Sequence, residues 1–565
     1  MGTRNEALVP PGFPQRFRQQ KSNLGWLFFA VCTALLLSIP VVTVLYSVTL
    51  PTSDIWAHLR STVLADYALN SLVLAVGVCL GTSLIGITTA WLCSAYSFPG
   101  RKLFSWTLLL PLAFPPYIIA YTYTGMLDFA GPVQTSLRTI FDWEYGDYWF
   151  PEIRSIVGAT LMISLVLYPY VYLLLRTAFS EQSSSLREAS HMFGVGSYKT
   201  LFTIILPMAR PALVAGLTLV VMETLADYGT VHYFGVPTFT TGILRTWFGL
   251  GDRVAATQLA SLLLLCVFAV ILAERYSRKA VRYQNPAKVQ KGWRYPLSGI
   301  KAIAAIVICS LPVLLGFVVP ALQLGAWTLR TAPETIDYSF LTLIINTVQL
   351  AVIVTLIIIA ASAVLAYGKR VGTHFSIPYT VNLSSMGYAV PGVIIAVGVL
   401  LPFAWLDNAL DAWLQQNLGI SSGLILTGTL ISLAFAHVVR FMAIGLNSVD
   451  ASLAKIHRSI DDAAQLLGRK TFERFASIHL PMIRGGILTA ALLVFVEVTK
   501  ELPATLVLRP FDFNTLAVRT YELASDERLA DASSSALLIV AISVLPILIL
   551  NRSIIQSGVV HGAQT

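Results

Sequence analysis

Glu188-Ala189-Ser190-His191-Met192-Phe193-Gly194, with Pro207 thirteen residues after the Gly, is answered by Asp462-Ala463-Ala464-Gln465-Leu466-Leu467-Gly468, with Pro481 at the same distance. The copies lie 274 residues apart. Each ends in a similar apolar stretch, Phe202-Thr203-Ile204-Ile205-Leu206-Pro207-Met208 and Phe475-Ala476-Ser477-Ile478-His479-Leu480-Pro481-Met482. Other landmarks keep nearly the same offset: Asn70 with Asn346, Ala90-Trp91 with Ala366-Tyr367, Pro115 with Pro391, and Glu223 with Glu497. A chain that repeats its polar loop and its apolar flanks together has been duplicated as a whole.

The flanks belong in a bilayer. Hydrophobic residues make up 56% of the 565 and charged ones 12%, with a mean hydropathy of +0.72, well outside the range of soluble domains. Crossing a hydrocarbon core takes about 20 helical residues. Twelve apolar runs satisfy this, at 24–46, 67–94, 104–127, 154–176, 211–233, 254–274, 299–320, 341–368, 378–403, 423–446, 485–505 and 531–551. The expected fold is all-α and integral to the membrane, in two parallel six-helix repeats. An even helix count per half gives both copies one orientation, related by an axis along the membrane normal.

Lys and Arg near span ends are retained on the cytoplasmic side. Arg101, Lys102, Arg187, Lys199, Arg210, Lys369, Arg370, Lys455, Arg458, Arg469, Lys470, Arg474 and Arg484 fall in alternate connections, together with Arg4, Arg16, Arg18 and Lys21 of the N-terminal tail. Both termini and both repeated loops are therefore expected in the cytoplasm. Residues 1–23 read as a tail, 24–274 as the first repeat, 275–298 as a basic linker, 299–551 as the second repeat and 552–565 as a second tail. The net charge of +9 is spread over separate loops, which disfavours a nucleic-acid surface. The run from Leu24 is too long, and lacks a small-residue cleavage site, for a secretory signal. Cys32, Cys79, Cys93, Cys266 and Cys309 have no metal-ligand spacing and read as packing residues.

Within each loop, Ser185 to Glu188 and Ser459 to Asp462 fit a capping box. Gly194 and Gly468 stand where a helix C-terminus favours a left-handed residue. The short amphipathic helix between them, with Met192-Phe193 or Leu466-Leu467 as anchors, suits docking into a partner's groove. Gly194 to Thr200 lacks the Gly-Lys ending and spacing of a phosphate loop, and no HExxH, GxSxG or paired CxxC occurs. No nucleotide or metal cofactor is expected in this chain.

The two loops resemble the EAA loop of the permeases of ABC importers. The departures are Ser190, where the family often has Ala, and Asp462, where it often has Glu. The resemblance implies the type I permease fold. It also implies that Glu188, Ala189, Ser190, Gly194 and Pro207, with Asp462, Ala463, Ala464, Gly468 and Pro481, dock two copies of a separate ATPase that consumes ATP and Mg. A periplasmic binding protein would deliver the substrate to the bacterial inner membrane. Asp227-Tyr228-Gly229-Thr230 and Lys500-Glu501-Leu502-Pro503-Ala504-Thr505-Leu506-Val507-Leu508-Arg509-Pro510, extended by Phe511 to Ala517, look like the ferric-iron branch. Thiamine, phosphonate and polyamine permeases share the general loop.

Glu223 and Glu497 each lie thirteen residues past an Arg, about 20 Å into a span at 1.5 Å per residue. With Asp227, Lys500 and Glu501 they are candidates for the translocation path, since ionisable residues inside a membrane usually face a wet interior. Pairing of Glu497 with Lys500 at i,i+3 is the equal alternative. A proton- or sodium-coupled carrier would also have twelve helices in two halves, but it has no ATPase to dock. The loop 128–153, with Tyr145, Tyr148 and Trp149, is expected on the outer face.

Overall fold

The computed structural model describes residues 15–144, 146–181, 190, 196–279, 294–372 and 374–560. These are almost wholly helical; a two-residue parallel pair, Tyr96–Ser97 with Tyr295–Pro296, joins the halves. Ten helices among the described residues are long and apolar enough to cross a membrane, and twelve when each of two bent pairs is taken as one span. The duplication is visible element by element. Leu64–Ala95 begins 274 residues before Tyr338–Val371, and Ile156–Glu181 before Leu430–Ala454. In each half these two helices form the main packed pair. Asn70 donates to Pro237 O at 3.0 Å and Asn346 to Asn514 O at 3.1 Å, so the repeated Asn ties equivalent loops.

Several expected spans are broken, and Pro or a capping carboxylate marks each break. The run 104–127 divides into Arg101–Thr107 and Pro116–Leu127 across Pro115-Pro116, and the bent pair of spans turns through 89°. A Pro lacks the amide donor and crowds the preceding turn. Pro391 makes the same division in the run 378–403, after which Gly392–Leu418 continues well past the expected end. The run 211–233 stops at Ala226 and restarts as Gly229–Tyr233; the run 485–505 stops at Lys500 and restarts as Pro503–Leu508.

Just before Pro207 and Pro481 the helix widens into five-residue π turns, Leu201–Ile205 and Phe475–His479. Pro207 and Pro481 bring no amide donor, and the wider turn accommodates them. The first half then bends by 77° at Ala209, where Pro211 follows; the second half has Gly485 there and runs straight through Leu480–Lys500.

Three helices run beyond the apolar spans. The first helix begins at Gln15, inside the expected tail, Arg253–Lys279 runs into the linker, and the last helix reaches Val560. Arg and Lys are good helix formers, so the first of these helices and Arg253–Lys279 continue beyond the apolar run. The first helix of each half packs across the molecule. Gln15–Tyr46 lies on Gly392–Leu418, where a side chain at Gly398 would meet the Pro40 carbonyl at 2.4 Å, and Gly299–Val313 lies against Leu64–Ala95.

Candidate translocation path and docking surface

The two broken spans meet at the centre of the molecule. Asp227 leaves the helix with ψ 130° and turns its carboxylate onto the next short helix. Oδ1 accepts from the amides of Thr230 and Val231 at 3.0 and 3.1 Å, and Oδ2 from the Thr230 hydroxyl at 3.0 Å. Glu501, 274 residues on, does the same. Oε1 accepts from Ala504 N at 2.9 Å, and Oε2 from Thr505 N and Oγ1 at 3.0 and 2.9 Å. Each carboxylate satisfies amides that would otherwise be orphaned in a low-dielectric interior, at the end of the helix where negative charge is favoured. Both residues were expected as path charges within continuous helices. They hold the breaks in place while lining the space between them.

That space is a cavity of about 100 Å³ walled by both halves, among them Tyr117, Tyr170, Glu223, Asp227, Tyr228, Arg440, Glu497, Lys500 and Glu501. A water needs about 10–15 Å³ of such volume, so several fit. Four carboxyl groups face two basic ones, and the pairing is unequal. Lys500 Nζ lies 2.7 Å from Glu497 Oε1 on one helix face. Arg440 Nη1 lies 3.6 Å from Glu501 Oε1, whose other oxygen is 3.5 Å from the buried ring of His437. Glu223 has no ion pair among the described residues; it accepts from Tyr388 Oη of the other half at 3.2 Å. Arg440, His437, Tyr388 and Tyr170 have no ionisable counterparts at the 274-residue offset, so the repeat does not point to them. Arg440 carried its own signal, a lone basic residue within the apolar helix Leu430–Ala454.

The docking surface is described in the second half. Arg458–Leu466 is a one-sided helix, and its start differs from the expected capping box. His457 is the N-cap and makes no side-chain cap bond; Ser459 lies inside the first turn, 3.1 Å from His457 Nδ1. The C-terminus matches the sequence. Gly468 has φ +76°, its amide donates to Gln465 O at 3.0 Å, and Arg469 N donates to Ala464 O at 3.1 Å. This is the Schellman pattern of paired carbonyl capping. Ala464 is buried against the membrane domain while Asp462, Ala463 and Gly468 are exposed. Leu466 and Leu467 are 90% and 82% exposed, an apolar end facing away from the body.

A charged clamp fixes this helix to the span above it. Arg370 donates through Nε and Nη2 to Asp461 Oδ2 at 2.9 and 2.7 Å, and reaches Leu453 O and Ile456 O at 2.6 and 2.9 Å. His479 Nε2 lies 2.8 Å from Asp461 Oδ1. Asp461 thus links the docking helix both to Tyr338–Val371 and to the π turn before Pro481. Pro481 and Pro207 are exposed, and Ser190 is buried. Glu188, Ala189 and Gly194 lie outside the described residues, as do most of the first loop's other positions. Among the described residues no cluster of three His, Cys, Asp or Glu side chains is placed to hold a metal.

Residues 82–283 match the family of binding-protein-dependent transport system inner membrane components. The Fe(3+)-transport system permease protein FbpB 2 of Haemophilus influenzae is 25% identical over 495 residues, covering 86% of this chain and 90% of that relative. The ferric transport system permease protein FbpB of Actinobacillus pleuropneumoniae is also 25% identical, over 460 residues that cover 76% of this chain and 62% of its own. The molybdenum transport system permease protein ModB of Escherichia coli (strain K12) is 26% identical over 190 residues, 33% of this chain but 79% of the relative. Matches to a relative of that length fit a chain made of two copies.

Proposed function

We propose, from the premise that this chain is an ABC importer permease of the binding-protein-dependent family and most like its ferric transport branch, that it moves ferric iron inward through the seam between its halves. An external binding protein supplies the ion, and two copies of a separate ATPase, using ATP and Mg, dock on the two repeated loops. The basic loops and both termini face the cytoplasm. The observation that carries the ATPase partnership is the second docking helix, which leaves Leu466 and Leu467 uncovered while Arg370, Asp461 and His479 fasten its other side to the spans. A helix so arranged passes a push from a partner into the membrane domain. Iron as the cargo is supported by the cavity's excess of carboxyl groups, hard oxygen donors suited to a hard cation. An anionic cargo would meet that excess as repulsion. A path must release what it admits, so tight ligation is not required of these carboxyl groups.

The test is copurification. The tagged chain, drawn from its native membrane in mild detergent, is expected to bring two ATPase copies with it by native mass measurement and to hydrolyse no ATP when stripped of them. Robust ATP turnover by the stripped chain, or the chain alone at full yield, would overturn the reading.

A further inference from the structure

A second cavity lies next to the central one, on the face away from the basic loops. It encloses about 630 Å³ and is lined by Tyr67, Tyr228, His232, Arg245 and Leu506, among others. Tyr228 belongs to the walls of both cavities. Around it is a cluster of rings drawn from both halves. Tyr228 caps the short helix after the Asp227 break and His232 lies within it, Tyr117 is in the first turn of the helix after Pro115-Pro116, and Tyr521 comes from Leu516–Ser525 of the second half. Ring centroids lie 5.1 Å apart for Tyr228 and His232, 6.0 Å for Tyr228 and Tyr521, and 6.4 Å for Tyr117 and Tyr521. Tyr521 Oη and His232 Nδ1 share a hydrogen bond of 2.6 Å. Exposure falls in order along the cluster: His232 is exposed, while Tyr228, Tyr521 and Tyr117 are each below 8%.

We infer that this ring cluster is the outer gate of the path, with Tyr228 as the partition and the Tyr521–His232 bond as its latch. The inference rests on the transport reading and adds the residues that seal it. Three features support it. The rings span the seam, so any separation of the halves pulls Tyr521 from His232 and Tyr228. The gate is one-sided: at the 274-residue offset the counterparts of Tyr228 and His232 are Leu502 and Leu506, which line the central and outer cavities respectively. Tyr117, Tyr228 and His232 come from the first half and meet one polar ring of the second, Tyr521, beside the apolar Leu502 and Leu506, so the closed state is held by few hydrogen bonds. Tyr117 Oη is also buried without a hydrogen-bond partner among the described residues, a cost of the closed arrangement that opening to water would relieve. The cluster is therefore closed here and built to part.

The first arm of the test reads access directly, so it is independent of iron uptake. In a background with the five native cysteines replaced by serine or alanine, Ala226→Cys places a thiol in the central cavity, below Tyr228. Spheroplasts carrying the full chain are treated from outside with a membrane-impermeant, positively charged thiosulfonate, without energising substrates. The Ala226→Cys chain with its rings intact is expected to label at least tenfold more slowly than the same chain with Tyr228→Ala added, whereas Tyr228→Phe, which keeps the ring, leaves it protected. Equal rates in the first two would overturn the gate. A second arm does not depend on the Ala variant folding well. His232→Cys with Tyr521→Cys, joined by a short bifunctional thiol reagent that reductant cleaves, is expected to block uptake until reductant is added. Full uptake with the bridge in place would also overturn it. If the cargo is not iron, the labelling result stands while the iron reading fails.

Discussion

Glu223 and Glu497 occupy the same place in the two repeats, yet their surroundings differ. A charged side chain at the centre of a bilayer costs about 2.5–3.5 kcal/mol on insertion scales. Glu497 meets Lys500 at 2.7 Å, which offsets much of that. Glu223 has the Tyr388 hydroxyl at 3.2 Å, long for an O–H···O bond and worth less than the 1.5–3 kcal/mol of a good bond to a charged group. On the proposed transport reading Glu223 is thus the carboxylate left available to a passing cation, whereas Glu497 is paired within its own helix. Glu223→Gln is expected to lower the rate of labelled ferric uptake about tenfold or more, ~1.4 kcal/mol in the barrier, with membrane abundance unchanged. Glu497→Gln alone should reduce abundance, leaving Lys500 uncompensated at a cost of ~1–3 kcal/mol, and adding Lys500→Met should restore both abundance and uptake. Normal uptake by Glu223→Gln, or no rescue in the double variant, would assign the roles the other way.

At the scale of the element, the C-terminus of the second repeated-loop helix is where the structure meets the sequence expectation, while its N-terminus departs from it. Gly468 is left-handed, at φ +76°, and its amide is engaged with Gln465 O. Pro fails on both counts, having a fixed negative φ and no donor. Gly468→Pro is expected to release the ATPase from detergent-solubilised complexes and to abolish uptake, while the chain still reaches the membrane at normal abundance, since the clamp through Arg370 lies on the other side of the helix. Retained ATPase and uptake would remove the docking role. The Gly was legible because only one residue type suits that geometry, and the spans were legible because their length is dictated by the bilayer. The breaks at Asp227 and Glu501 were not. Apolar residues continue through them, and what ends each helix is a carboxylate turning onto amides three and four residues ahead, which composition cannot distinguish from a charge facing a pore. Pro115-Pro116 and Pro391 did mark their breaks. The clamp of Arg370 and His479 on Asp461 joins residues about 90 and 18 positions apart, a pairing that only the folded arrangement reveals.

Across the whole molecule, duplication supplies two repeated loops and one seam, and divergence between the copies supplies the residues that the proposed path uses. Arg440, Tyr388 and His437 come from the second half; Tyr228 and His232 come from the first. Among the contacts that bind the halves, each half's first helix crosses to the other, and Arg154 of the first half holds Glu527 of the second through two bonds of 2.8 and 2.9 Å. On the proposed reading, the path at this seam opens and closes as the halves move, with the helix clamped by Arg370 and Asp461 passing on the motion. The central claim is that ATP hydrolysis by bound partners drives ferric iron through this chain. Purified chain, ATPase and iron-loaded binding protein, reconstituted in proteoliposomes with the binding protein outside and ATP inside, should accumulate labelled iron only when all three proteins and ATP are present. Equal accumulation driven by a proton or sodium gradient, with no ATPase in the vesicles, would contradict the account.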